Sequence, residues 1–184
     1  MRATEQLKEE HQGIKLMLDI LAEICTKLLA GEQVSARQLG EIVEFFRIFV
    51  DKCHHAKEED VLFPEMEKAG VAKKGGPLGV LLDEHAQGRE YVKKLDAEIA
   101  AYQADNKTPA LKIVALARKY IALLNQHIQK EDDVLYPMAD KLISEKQQQE
   151  MVEKFAQIES ERLGAGTHEK FHGLLNQLQD EYLP

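Results

Sequence analysis

His127–Pro137 reads HIQKEDDVLYP, and His54–Pro64 reads HHAKEEDVLFP. Aligned without gaps at an offset of 73 residues, both follow H-x-x-K-E-E/D-D-V-L-F/Y-P. Each copy sets a histidine four residues before a glutamate, giving His54/Glu58 and His127/Glu131. Residues i and i+4 lie one turn apart on one face of an α-helix, so each pair points the same way. A lone His-x-x-x-Glu is most often a surface pair on a solvated face, but two copies in register call for a common cause.

The helices around these copies repeat as well. Residues 3–30 carry Leu7, His11, Ile14, Leu18, Leu21, Cys25 and Leu28 in alternating steps of four and three, the seam of a bundle helix that Gly31 ends. Ser35 can cap a second helix starting near Ala36, whose stripe of Leu39, Ile42, Val43, Phe46, Phe49 and Val50 leads into the 54/58 pair. Pro64 is expected to kink or end that helix. After the loop GVAKKGGP at 70–77, a third helix places Leu78, Leu81, His85, Gly88, Val92, Leu95, Ile99 and Tyr102 on its seam. In the turn DNKTP, Thr108 can cap the fourth helix and Pro109 can sit in its first turn. The fourth seam runs Ile113, Leu116, Tyr120, Leu123, His127, Glu131 and Val134, ending near Pro137. Glu10-His11 recurs as Glu84-His85 at an offset of 74, so the chain reads as two helical hairpins in a pseudo-twofold arrangement.

The predicted fold is all-α: an antiparallel up-down-up-down four-helix bundle over about 3–140, with one or two added helices over 141–184, all within a single domain of 1–184. A net charge of −8 argues against nucleic acid. No apolar run is long enough to span a bilayer, and MRATEQLKEEHQ lacks the apolar core of a secretory leader. Cys25 and Cys53, far apart in sequence, suit a reducing cytoplasm better than a disulfide framework.

Histidine and glutamate on a core seam are costly without partners, and a bound cation supplies one. His11, His54, Glu58, His85, His127 and Glu131 are too many for one tetrahedral zinc. Two six-coordinate metals sharing two carboxylates would use all six, and mixed nitrogen and oxygen donors favour iron over manganese.

This constellation resembles the hemerythrin-like (HHE cation-binding) family over about residues 5–140. The resemblance implies an oxo- or hydroxo-bridged pair of iron ions, bridged also by Glu58 and Glu131, with His11 and His54 on one iron and His85 and His127 on the other. It also implies binding of O2 or a related small ligand such as NO or peroxide. One departure is evident. Oxygen-carrying hemerythrins have a second histidine one turn after the first on the third helix, and this chain has Arg89 there, beside Gly88. His55, whose counterpart is Ile128, lies where some hemerythrin-like proteins have an additional ligand, so it is a candidate to complete one iron's shell.

Of the remaining polar residues, Glu10 and Glu84 are candidates to hold the second ring nitrogen of a ligand histidine. Glu59, Asp60, Asp132 and Asp133 read as solvent-facing or lysine-paired. His168 and His172 read as packing or capping of the last helix, and Cys53 as a small buried thiol. No general acid or base beyond the ligands stands out. Binding or sensing of a diatomic, in oxygen, iron or redox homeostasis, is therefore favoured over a peroxide- or NO-handling enzyme. Ferritin-type storage ranks last, because the E-x-x-H spacing is missing.

Overall fold

A seam of Leu7, Ile14, Leu18 and Leu21 on α1 (Ala3–Leu29) becomes the inner wall of a bundle whose other members approach it in the expected order. The computed structural model describes residues 1–104, 110–164 and 166–183. The expected caps at Thr108 and Pro109 lie outside the described residues. Gly31, at φ +79°, takes the left-handed conformation that ends α1. The Ser35 side chain accepts from the Gln38 backbone N–H to start α2 (Ala36–Phe45).

The second bundle member changes pitch as it reaches the site. After α2 come two π-helical stretches, π1 (Phe46–His55) and π2 (Glu58–Leu62), and then α3 (Phe63–Lys68). The fourth member does the same: α5 (Ala110–Lys130), π3 (Glu131–Leu135), then α6 (Tyr136–Leu142). Neither proline ends its helix: the end expected near Pro137 is not there, and of the kink or end expected at Pro64 the end is not. Pro64 and Pro137 each fall in the first turn of a fresh α-segment that follows a π turn, where no N–H is required of them.

The π turn also moves the buried stripe. Val134, expected on the seam, is exposed, while Leu135 and Tyr136 turn inward. The wider i→i+5 winding admits an extra residue at this level, and such turns concentrate at functional sites. Leu116 and Leu123 are only half-buried, and Ala117 and Leu124 take the core positions beside them. On α4 (Pro77–Ala104) the buried set matches the expected seam throughout.

Neighbouring members pack in a ring, α1 against α5, α5 against α4, α4 against α2, and π1 against α1. The tail forms α7 (Glu145–Arg162), started by a Ser144–Gln147 capping box, and α8 (Thr167–Tyr182). Both lie on α1, and α7 also covers π1 and π2. α7 buries Met151, Phe155 and Ile158 there, while α8 buries Phe171, Leu175, Leu178 and Tyr182. With the bundle on one side and α7 on the other, all of Cys53–Glu58 is buried. Among the described residues no helix is long and apolar enough to cross a membrane.

Candidate metal centre

Four histidines, one from each bundle member, aim their Nε2 atoms at the interior in two pairs. His11 Nε2 lies 3.0 Å from His54 Nε2, and His85 Nε2 lies 3.0 Å from His127 Nε2. Each Nδ1 faces outward and is held by a carboxylate. His11 donates to Asp132 (2.8 Å), His54 to Glu10 (2.8 Å), His85 to Glu59 (2.7 Å) and His127 to Glu84 (2.9 Å). A carboxylate on Nδ1 keeps the proton there and leaves the Nε2 lone pair free to face inward, the arrangement expected of a metal-ligating imidazole.

Each glutamate reaches across both pairs, and Glu131 also has His85 Nε2 at 3.9 Å. Glu131 has His127 Nε2 at 3.0 Å and His11 Nε2 at 3.3 Å, and Glu58 has His85 Nε2 at 3.4 Å and His54 Nε2 at 3.8 Å. Both side chains are fully buried, yet Glu58 Oε2 and both oxygens of Glu131 make no hydrogen bond. Buried carboxylate oxygens are rarely left so, because the desolvation cost goes uncompensated. The convergent lone pairs and orphaned oxygens fit a cation between them. Among the described residues two groups have ligand atoms within 4.8 Å of one another: His11, His54 and Glu131, and His55, Glu58, His85 and His127.

His55 joins the second group. Its ring stacks on His85 with centroids 3.8 Å apart at 15°, although it neighbours His54 in sequence. Both side chains are buried because π1 brings them to adjacent parts of the same interior. Arg89, in the place of the missing third-helix histidine, reaches outward instead. It donates to Asp51 (2.6 Å) and to Glu59 (2.6 Å), the carboxylate that holds His85. His55 on π1 thus brings an imidazole to the same group that holds His85 of α4.

Electrostatics follow the hydrogen bonds. Burial works against a charged His11, yet Asp132 and Glu131 overturn it and raise the imidazole to about 9. For His127, burial is likewise outweighed, by Glu131 and Glu84, and the value rises to about 10. His55 goes the other way: burial, then His85, His127 and His54, push it well below its usual range. Burial would raise Glu131, but His127 and His11 hold it well below the carboxylate norm.

Three further sets of side chains support the site. Tyr136 donates to Glu58 Oε1 at 2.7 Å, lies 3.3 Å from His11 Nε2, and stacks on the His11 ring. Its signal was the variable F/Y of the repeat. Glu59 and Asp132, read from sequence as solvent-facing or lysine-paired, turn inward to hold His85 and His11, because each π turn starts at the preceding glutamate. Their signal was position, each one residue past the repeated glutamate. Asp132 also pairs with Lys15, and Asp60 with Arg162. The repeated lysines stand behind the repeated dipeptides, with Lys57 donating to Glu10 and Lys130 to Glu84.

Other candidates lie outside the two groups. His168 and His172 line a cavity of about 420 Å³ between α1, π1 and α8, where His168 packs edge-on to Phe49. Cys53 is a buried thiol raised by burial to about 12, far from a reactive thiolate. A second cavity, about 210 Å³, reaches His55 past Gly88, Arg89 and Tyr120. A side chain at Gly88 would meet Tyr120 only at an ordinary 3.6 Å, so the glycine keeps this cavity open rather than relieving a clash.

The chain is similar to "Uncharacterized protein Mb2018" of Mycobacterium bovis and "Uncharacterized protein Rv1995" of Mycobacterium tuberculosis, each 30% identical over 162 residues, 88% of this chain and 63% of theirs. It is 27% identical over 138 residues to the iron-sulfur cluster repair protein YtfE of Edwardsiella ictaluri, covering 71% of this chain and 60% of that protein. The chain therefore spans about three-fifths of the length of the curated relatives it matches. Residues 2–139, which contain every histidine and glutamate of the two groups, match the hemerythrin HHE cation-binding domain, and the chain belongs to that family.

Proposed function

We propose that the two groups hold a pair of iron ions that binds O2 or a related small ligand for sensing or for oxygen, iron or redox homeostasis. The observation that carries this reading is the set of four carboxylate-held imidazoles converging on two glutamates whose oxygens lack hydrogen bonds. His11 and His54 would hold one ion, His85, His127 and His55 the other, with Glu58 and Glu131 between them. Iron supplies reversible binding and electron transfer toward a diatomic, chemistry that no side chain here offers. The protein's part is to fix the imidazoles through their Nδ1 partners, exclude bulk water and leave one approach open. The cavity at His55 and Gly88 is that approach. Two buried free cysteines support a reducing compartment such as the cytoplasm.

A second reading, turnover of peroxide or NO, is favoured by the Tyr136 hydroxyl beside Glu58 and His11, a proton donor inside the site. Both readings rest on the same assay. The purified protein should carry two irons per chain; a single metal, or zinc alone, would overturn the di-iron reading. Reduced anaerobically and exposed to O2, a binding protein gives a spectrum that reverses when O2 is removed. Prompt, irreversible return to the oxidised spectrum, together with catalytic consumption of peroxide added to the protein, both slowed in Tyr136→Phe, assigns turnover instead. Gly88→Leu should slow azide binding without lowering iron content, and an unchanged rate would remove this cavity as the entry route.

A further inference from the structure

The pseudo-twofold relation maps surfaces as well as ligands. On the first half, Ala3, Gln6, Leu7, Lys57, Val61 and Leu62 form the floor on which α7 lies. Moving by the 74- and 73-residue offsets gives Pro77, Val80, Leu81, Lys130, Val134 and Leu135. These six residues line an apolar groove of about 180 Å³ on the second half, and none of α7's side chains lines it. Val61 is 6% exposed and its counterpart Val134 is 55%; Val80, in the place of Gln6, is 50% exposed.

The covered half shows what the open half lacks. α7 seats Phe155 against Lys57, whose ammonium lies 5.7 Å from the ring centroid. One turn on, Glu159 accepts from Lys57 and from Gln6 (2.9 Å), and Arg162 pairs with Asp60 (2.6 Å). Lys130 has Glu84, as Lys57 has Glu10, but among the described residues it has no second carboxylate. Asp133, counterpart of Asp60, has no ion pair among the described residues, and neither do Lys73 and Lys74, which line the adjoining cavity beside Val80. The groove thus has an apolar floor with Lys130 at its edge, beside a cavity where Lys73 and Lys74 are balanced by Glu67 and Asp83, so it matches a helix that is apolar on one face and, like α7, carries a carboxylate for that one lysine.

We propose that this groove docks an amphipathic helix of a partner protein. The helix inserts an apolar or aromatic side chain between Val80 and Val134 and places a glutamate, one turn on, against Lys130. It repeats in trans the contact that α7 makes in cis, a helix-in-groove mode. α7 of a second copy is not free to fill the groove, because it is buried on its own first half.

The test uses the full chain and, as probe, a labelled peptide of the α7 sequence, EKQQQEMVEKFAQIESER. Saturable one-to-one binding is expected, weakened about tenfold or more, roughly 1.4 kcal/mol, by Val134→Glu in the protein. Replacing the peptide's phenylalanine by alanine should weaken it comparably. Val134 is exposed, so the variant should melt as the parent does, and Val80→Glu serves as an independent second variant. No saturation up to about 1 mM peptide overturns the proposal. So does binding that both variants leave unchanged, which would mean that the peptide displaces α7 on the first half. A concentration-dependent dimer dissolved by Val134→Glu would assign the groove to a second copy and equally overturn it.

Discussion

The two helical hairpins carry the same cage and build different surroundings for it. His11, His54, Glu58 and Glu10 on one side match His85, His127, Glu131 and Glu84 on the other. Even the cross-hairpin supports are paired, Asp132 on His11 and Glu59 on His85. Against that symmetry stand three departures. His55 faces the second group, and its counterpart is Ile128. Tyr136 stacks on His11 with its hydroxyl on Glu58, whereas its counterpart Phe63 stacks on His85 with no hydroxyl to offer. Lys57 is sealed beneath α7, whereas Lys130 meets solvent. The repeated residues bring together two groups of ligand side chains. The unrepeated ones give one group an extra imidazole and set a phenol against His11 of the other, so two cations held as proposed would not be chemically equivalent.

The comparison breaks most sharply at residues 55 and 128. His55→Ala should lower metal content from two ions per chain toward one, with the His11/His54 position still filled. Ile128→Ala removes a buried aliphatic side chain and should cost about 2–5 kcal/mol of stability while both ions stay. Metal analysis with thermal melts reads both outcomes. Equal metal loss in the two variants would mean that His55 acts through packing alone.

The lysines come next. Lys57 is 0% exposed and is bound by Glu10 and Glu159, whereas the Lys130 side chain is 46% exposed. Removing one partner of a buried ion pair leaves uncompensated charge, so Lys57→Ala should cost about 3–5 kcal/mol, a fall in Tm of roughly 10 °C. Lys130→Ala should stay within about 1 kcal/mol. Matching losses would show that α7 does not distinguish the two halves.

The metal-free protein should also respond to pH in a way that the loaded protein does not. The imidazoles of His11 and His127, about 9 and about 10 when folded, lie above their ordinary value of about 6.5. Groups raised on folding stabilise fully below the unfolded value and lose that contribution as pH rises through the folded one. Metal-free stability should therefore decline from about pH 6.5 to about pH 10, by a few kcal/mol, as read by chemical denaturation. Metal must displace those protons, so its apparent affinity should rise over the same window. His55, held well below its usual range, brings no proton to displace.

The bundle and the metal-site candidates were legible from sequence because both depend on period. A seam histidine stands out against leucine every three or four residues, and a gap-free repeat shows that two such seams share one design. Three features lay outside that logic. The π turns depend on backbone hydrogen bonding that no residue type announces, so Val134 read as buried, and Glu59 and Asp132 read as solvent-facing or lysine-paired rather than as holders of His85 and His11. His55 was visible as a histidine but not as a neighbour of His85, because a contact across the bundle depends on how far π1 winds. The α7 contact on Lys57 joins residues about 100 apart, and a repeated lysine in the motif gave no sign that only one copy would be covered.

The smallest expected effect tests how far the pseudo-symmetry reaches. Phe63→Tyr would place a hydroxyl where the offset puts the counterpart of the Tyr136 hydroxyl. Tyr136 donates to Glu58, so the new hydroxyl should donate to Glu131, whose oxygens have no hydrogen-bond donor. A satisfied buried hydrogen bond contributes about 0.5–1.5 kcal/mol, whereas an unsatisfied hydroxyl costs about 1–3 kcal/mol. Stability should therefore hold or rise by about 1 kcal/mol, and two metals should remain bound. Destabilisation beyond about 2 kcal/mol would mean that the space beside Glu131 does not match the space beside Glu58. The two halves would then agree in their ligands but not in the cavities around them, and Phe63 would be there because a hydroxyl does not fit.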